Sequence, residues 1–120
     1  MKNLKVLVID DNEQMQNVMK QILESYGHTV ISASDGEKGL ELFRKAPTKF
    51  DLIITDQGMP RILGEEVIRE VKSINPGIKT ILMTGDVNII SGAKATGANE
   101  MLPKPFYLRA LEKIIQKFFG

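Results

Sequence analysis

The 120-residue chain contains no cysteine, no tryptophan and a single histidine. Without thiolates there is no disulfide framework and no zinc-finger site, a composition compatible with a reducing compartment. An excess of either charge is also missing. Sixteen basic residues face 15 acidic ones for a formal net charge of +1, so bulk charge gives no case for nucleic-acid binding. Apolar runs such as Val6-Leu7-Val8-Ile9 are only a few residues long; none can span a bilayer, and the N-terminus lacks a signal-peptide apolar region. The expectation is a cytoplasmic protein with no membrane or direct nucleic-acid partner. What is present is ordinary for a globular protein, 42% hydrophobic and 26% charged. The length fits one domain spanning residues 1–120, with no linker, repeat or low-complexity segment.

The stretch that organises the chain is Phe50-Asp51-Leu52-Ile53-Ile54-Thr55-Asp56-Gln57-Gly58-Met59-Pro60. Its apolar residues are contiguous rather than alternating, as in a central strand covered on both faces, and the run stops on Asp56 before a glycine and a proline. Similar runs read as strands at Leu4 to Ile9, Thr29 to Ala33, Ile81 to Met83 and Glu100 to Leu102. Between them, helical spacing recurs. Met15, Val18, Met19, Ile22, Leu23 and Tyr26 form one stripe, ended by Gly27. A second helix after the Ser34-Asp35-Gly36 cap carries Leu40 and Phe43 inward and closes by Pro47. A third, from about Glu65, carries Val67, Ile68, Val71 and Ile74, and the last carries Leu108, Leu111, Ile114, Ile115 and Phe118. The segment from Val87 to Gly97 is the weakest helix candidate, with Gly92 inside it. Five strands alternating with five helices predict an α/β doubly wound parallel sheet.

In such sheets ligand chemistry collects outside the carboxyl ends of the strands. Asp10 and Asp11 follow the first strand, Asp56 the third, Thr84 the fourth and Lys104 the fifth. All ligands offered are hard oxygens, which favours Mg²⁺ over zinc or copper. A lysine and a hydroxyl beside them suit a phosphoryl group, and a carboxylate can itself be the nucleophile. Taken singly, Asp10-Asp11-Asn12 also suits a helix N-cap, Thr84-Gly85 a turn, and Lys104 a solvated surface. It is their coincidence with Asp56 that points to a site. His28 reads as an exposed loop residue, and Met15, Met19, Met83 and Met101 as core filler. The basic residues Lys104, Arg109, Lys113 and Lys117 fit a solvated helix face.

Asp10-Asp11 after an apolar strand, Asp56-x-x-Met59-Pro60, Thr84 after another strand and Lys104-Pro105-Phe106 together resemble the receiver domain of two-component response regulators, the CheY family. The resemblance covers the whole chain. It implies the flavodoxin-like (βα)5 fold with strand order 2-1-3-4-5, for which CheY is itself a standing example. It also implies that Asp56 is the phosphoacceptor and that Mg²⁺ is held by Asp11, Asp56 and the Gly58 backbone carbonyl, with Asp10 in support. Thr84 would hydrogen-bond the phosphoryl group and Lys104 would pair with it, ahead of a peptide to Pro105 that the family usually keeps cis. The donor would be a phosphohistidine on a sensor histidine kinase or a histidine phosphotransfer protein. The domain itself would assist transfer and later hydrolysis, without being an enzyme in the ordinary sense.

Three other readings compete. A flavin-binding module on the same architecture would need a hydroxyl- and glycine-rich phosphate loop after the first strand, where Asp10-Asp11 would repel a phosphate. A phosphorylation-independent scaffold on the same fold would not need the set Asp11, Asp56, Thr84 and Lys104. A Mg²⁺-dependent phosphohydrolase of the haloacid-dehalogenase type needs a second aspartate two residues after the nucleophile, where this chain has Gly58. The Thr55 to Pro60 and Met83-Thr84-Gly85 segments further resemble receivers attached to hybrid histidine kinases. The sequence departs from its family at Met101, where an aromatic switch residue is common.

Overall fold

The computed structural model describes residues 3–92 and 95–120. Five strands alternate with five helices: β1 (Lys5–Ile9), α1 (Glu13–Ser25), β2 (Thr29–Ala33), α2 (Gly36–Lys45), β3 (Leu52–Asp56), α3 (Gly64–Ile74), β4 (Lys79–Thr84), α4 (Val87–Ile90), β5 (Glu100–Pro103) and α5 (Leu108–Phe119). The strands form one parallel sheet in the order β2-β1-β3-β4-β5, as expected.

The contiguous apolar runs divide between the two faces, because successive side chains of a strand point oppositely. Val6, Val8, Ile54, Ile81 and Met83 pack with Met19, Leu23, Leu111 and Ile115 under α1 and α5. Leu7, Ile9 and Ile53 pack with Leu40, Phe43, Val67 and Val71 under α2 and α3. Every residue of β3 is buried. A smaller cluster of Ile68, Leu82 and Ile89 takes in Ala98 and Met101 beside α4.

Several local expectations need correction. His28 is buried, only 4% exposed, where its Nδ1 accepts a hydrogen bond from the Leu4 amide at 3.1 Å; the loop after Gly27 folds it under the start of β1. Val18, Ile74 and Leu108 are exposed. Val18 lies beside the buried stripe of α1, and the other two occupy helix ends, the last residue of α3 and the first of α5. Lys117 pairs with Glu100 at 2.6 Å rather than facing only water. The weak fourth helix shrinks to four residues and ends in a turn at Gly92, whose φ is +80°. Of the Val87 to Gly97 candidate, Ala93 and Lys94 lie outside the described residues. Gly27, with φ +88°, follows the α1 cap as expected.

One glycine ties the sheet to the helix above it. Gly64 opens α3 directly over the end of β3, where a Cβ would collide with the Asp56 carbonyl oxygen and reach within 2.8 Å of Leu82 Cδ1. Backbone cannot yield as a flexible side chain does, so Gly64→Ala is expected to lower the unfolding free energy by about 1–3 kcal/mol. Gly77→Ala, whose new Cβ would meet its nearest neighbour at 3.7 Å, should stay within about 0.5 kcal/mol. Urea denaturation of both variants checks this contrast.

Candidate functional site

The strand register brings the expected residues to one edge. Ile9 pairs with Thr55, so the next residues, Asp10 and Asp56, leave adjacent strands side by side. Asp56 pairs with Met83 and Thr84 with Pro103, which places Thr84 and Lys104 one step further along the same edge. The side chains follow the backbone. Carboxylate oxygens of Asp10, Asp11 and Asp56 all lie within 4.8 Å of one another. Lys104 Nζ sits 2.6 Å from Asp56 Oδ1, and the Lys104–Pro105 peptide is cis.

Burial grades the three carboxylates. Asp10 is fully buried and Asp56 nearly so, whereas Asp11 is exposed. Asp10 Oδ1 accepts from the Asn12 amide at 2.9 Å, while its Oδ2 is buried without a hydrogen-bond partner. The Asp10 carboxyl is accordingly raised above its ordinary value of 3.8. Burial is the main cause and the charges of Asp56 and Asp11 add to it, against the Asn12 hydrogen bond and Lys104. A buried carboxylate oxygen without a partner, in a cluster with two further carboxylates, makes an all-oxygen donor set of the kind that suits Mg²⁺. The residues present therefore fit the ion.

Thr84 is buried at the end of β4, and its hydroxyl accepts from the Asp86 amide at 3.0 Å. Asp86 in turn caps α4, accepting from the Asn88 amide at 2.9 Å. Gly58 is exposed in the turn after Asp56. All the residues expected at the site thus reach the same edge. Two polar residues of the loop after Asp56 were not singled out by the sequence. Gln57, next to Asp56, is buried and bonded to Glu65. Arg61, with φ +69°, reaches Asp35 at 2.9 Å and Glu37 at 3.6 Å, tying the loop to the cap of α2. The signal for Gln57 is an absence: Leu63, the residue before α3, offers no side-chain cap, so the helix amides need a partner from elsewhere.

A doubly wound sheet with three carboxylates, a lysine and a threonine at the carboxyl edge defines a phosphoacceptor of the receiver type. The chain matches the response regulator receiver domain family over residues 6–116 and belongs to it. It is 32% identical to a probable chemotaxis protein CheY of Rhizobium etli, covering 99% of this chain and 95% of that one. It is also 34% identical to a response regulator receiver protein of Anaeromyxobacter sp. over 84% of this chain, but spans only 42% of that protein's length. Among solved structures, it resembles the response regulator TrrA of Thermotoga maritima in complex with Mg²⁺-BeF, with TM-score 0.87, 29% identity and coverage of 97% and 99% of the two chains. Like the family, this chain is a receiver domain of two-component signalling. Receiver domains are phosphoacceptors that partner with histidine kinases or phosphotransfer proteins and bind Mg²⁺ at an aspartate cluster. Among the described residues, no helix is long and apolar enough to cross a membrane.

Proposed function

We propose that residues 1–120 form a single cytoplasmic receiver domain that takes a phosphoryl group from a phosphohistidine onto Asp56. The observation that carries this reading is the Lys104 ammonium, 2.6 Å from Asp56 at the point where three carboxylates converge. Asp11, Asp56 and the Gly58 carbonyl would hold Mg²⁺, with Asp10 in support. Bound there, the ion neutralises charge on the phosphoryl oxygens and on the carboxylates around them. An Asp56 oxygen forms a bond to phosphorus as the phosphorus–nitrogen bond of the donor breaks, and the leaving imidazole takes a proton. Lys104 keeps a positive charge beside the new acyl phosphate, and Thr84 supplies a hydroxyl donor. Because these groups all belong to the chain, transfer and later hydrolysis are self-assisted. Incubation with phosphoramidate, a small phosphorus–nitrogen donor, should add one phosphoryl group by intact mass in Mg²⁺ and none in EDTA. No adduct in Mg²⁺ would favour the phosphorylation-independent scaffold.

The same contacts suggest the output route. If the Thr84 hydroxyl turns to the phosphoryl group, the Asp86 amide loses its acceptor, and Asp86 begins a helix of four residues. A one-turn helix has little intrinsic stability, so a small change at its cap shifts its equilibrium. Met101 packs beside Ile89 in the adjoining cluster and has no ring to rotate, so the response falls on the segment from Asp86 to Gly97. Hydrogen exchange with and without beryllofluoride and Mg²⁺ should change most there, outside the phosphorylation loops. Unchanged protection across that segment would exclude it as the route.

A further inference from the structure

We propose that Gln57 is a positioning residue for the metal: it fixes the peptide plane that carries the Gly58 carbonyl. The inference rests on the functional reading above. Gly58 has no side chain, and a Cβ built on it would find nothing within 4 Å. The residue assigned to offer a backbone oxygen thus restrains its own orientation least of all, and the restraint has to come from its neighbours.

Gln57 supplies it through both its backbone and its side chain. Its amide donates to the Met83 carbonyl of β4 at 2.9 Å. Its carbonyl accepts from Met59 at 3.2 Å and from Gly64 at 3.0 Å. Its side-chain Oε1 accepts from the Glu65 amide at 2.8 Å, and its Nε2 donates to Glu65 Oε1 at 3.0 Å. The bond from Met59 is the informative one. The Met59 amide and the Gly58 carbonyl are opposite ends of one planar peptide, so anchoring the amide on the Gln57 carbonyl sets the direction of the oxygen. The side-chain bonds hold that anchor in place. They also do the work of the missing cap on α3, since the amides of Gly64 and Glu65 both end on Gln57. Glu65, itself buried, is held from the other side by Arg69 at 3.3 Å.

Mg²⁺ tolerates little error in ligand placement, and groups that orient its ligands typically change affinity about ten- to a hundredfold. Removing the Gln57 amide should therefore weaken the metal more than the chemistry. The test is Mg²⁺ titration of the full chain followed by ¹H–¹⁵N NMR, with acetyl phosphate uptake measured across Mg²⁺ concentrations. For Gln57→Met, half-saturating Mg²⁺ is expected to rise about tenfold, while the uptake rate at saturating Mg²⁺ stays within about twofold. Glu65→Ala leaves Gln57 in place but removes the acceptor of Nε2, and should move affinity the same way by a smaller factor, about threefold. Ile78→Val, a core change, should lower stability without moving Mg²⁺ affinity, which separates positioning from general loosening. Wild-type affinity in Gln57→Met or Glu65→Ala, or a fall in rate that saturating Mg²⁺ does not restore, overturns the inference. If the wild-type chain itself binds no Mg²⁺, the functional reading fails instead.

Discussion

Asp56→Asn is expected to reduce phosphoryl uptake to background while leaving the fold intact. Asparagine has the shape of aspartate, so it fills the same buried place at the end of β3. It lacks the anionic oxygen that in the proposed reaction would attack phosphorus, and an amide is a far weaker nucleophile. It also removes one of three carboxylates crowded within 4.8 Å, so Mg²⁺ affinity should fall as well. Lys104 then loses its charged partner at 2.6 Å, but it is partly exposed and water can solvate it, so stability should change little. Intact mass after acetyl phosphate and Mg²⁺ checks this. A mutant carrying as much adduct as the wild type would remove Asp56 from the mechanism.

The second large effect has opposite signs for stability and for binding. Asp10 is fully buried, with one carboxylate oxygen lacking a partner and its carboxyl raised above 3.8, chiefly by burial. In the metal-free protein, ionising that carboxyl carries a penalty. Asp10→Asn replaces a buried anion beside two other carboxylates with a neutral group of the same shape that keeps the acceptor for the Asn12 amide. It should therefore raise the unfolding free energy by about 1–3 kcal/mol, and weaken Mg²⁺ about ten- to a hundredfold. The pH dependence follows from the direction of the shift. The folded state binds this proton more tightly than the unfolded state, so protonating Asp10 favours the folded form. That advantage is complete below 3.8 and is lost as pH rises through the raised folded value. The excess stability of Asp10→Asn should therefore appear at neutral pH and shrink on acidification across that window. Chelated samples followed by urea denaturation at several pH values would show it. A variant less stable than wild type at neutral pH would contradict the assignment of the buried charge as a cost.

The contrast between Asp10 and Gln57 shows what the sequence carried and what it did not. Strand ends are legible because contiguous apolar runs stop abruptly, and in a parallel sheet every such stop lies on the same edge. Asp10, Asp56, Thr84 and Lys104 were found that way. The Ile9–Thr55 register then turns that common edge into adjacency. Burial of a polar residue leaves no periodic trace. Gln57 and Glu65 are eight residues apart in a turn and the helix after it, and His28 follows a capping glycine as exposed residues often do. Each is buried through contacts made by other parts of the chain. Val18 and Ile74 fail for the opposite reason: an apolar residue at helical spacing is predicted inward, yet Val18 lies beside the buried stripe of α1 and Ile74 is the last residue of α3. The leading cause of the Asp10 shift, burial, is likewise set by the fold and not by the spacing of charges along the chain.

The most direct test is to locate the phosphoryl group. Wild-type protein would be treated with acetyl phosphate in Mg²⁺ or in EDTA, trapped with borohydride, which converts aspartyl phosphate to homoserine, and mapped by tandem mass spectrometry. The structure predicts one modified position, Asp56, present in Mg²⁺ and absent in EDTA. Modification at Asp10 or Asp11 instead, or at Asp56 to the same extent in EDTA, would contradict a Mg²⁺-dependent phosphoacceptor at the end of β3.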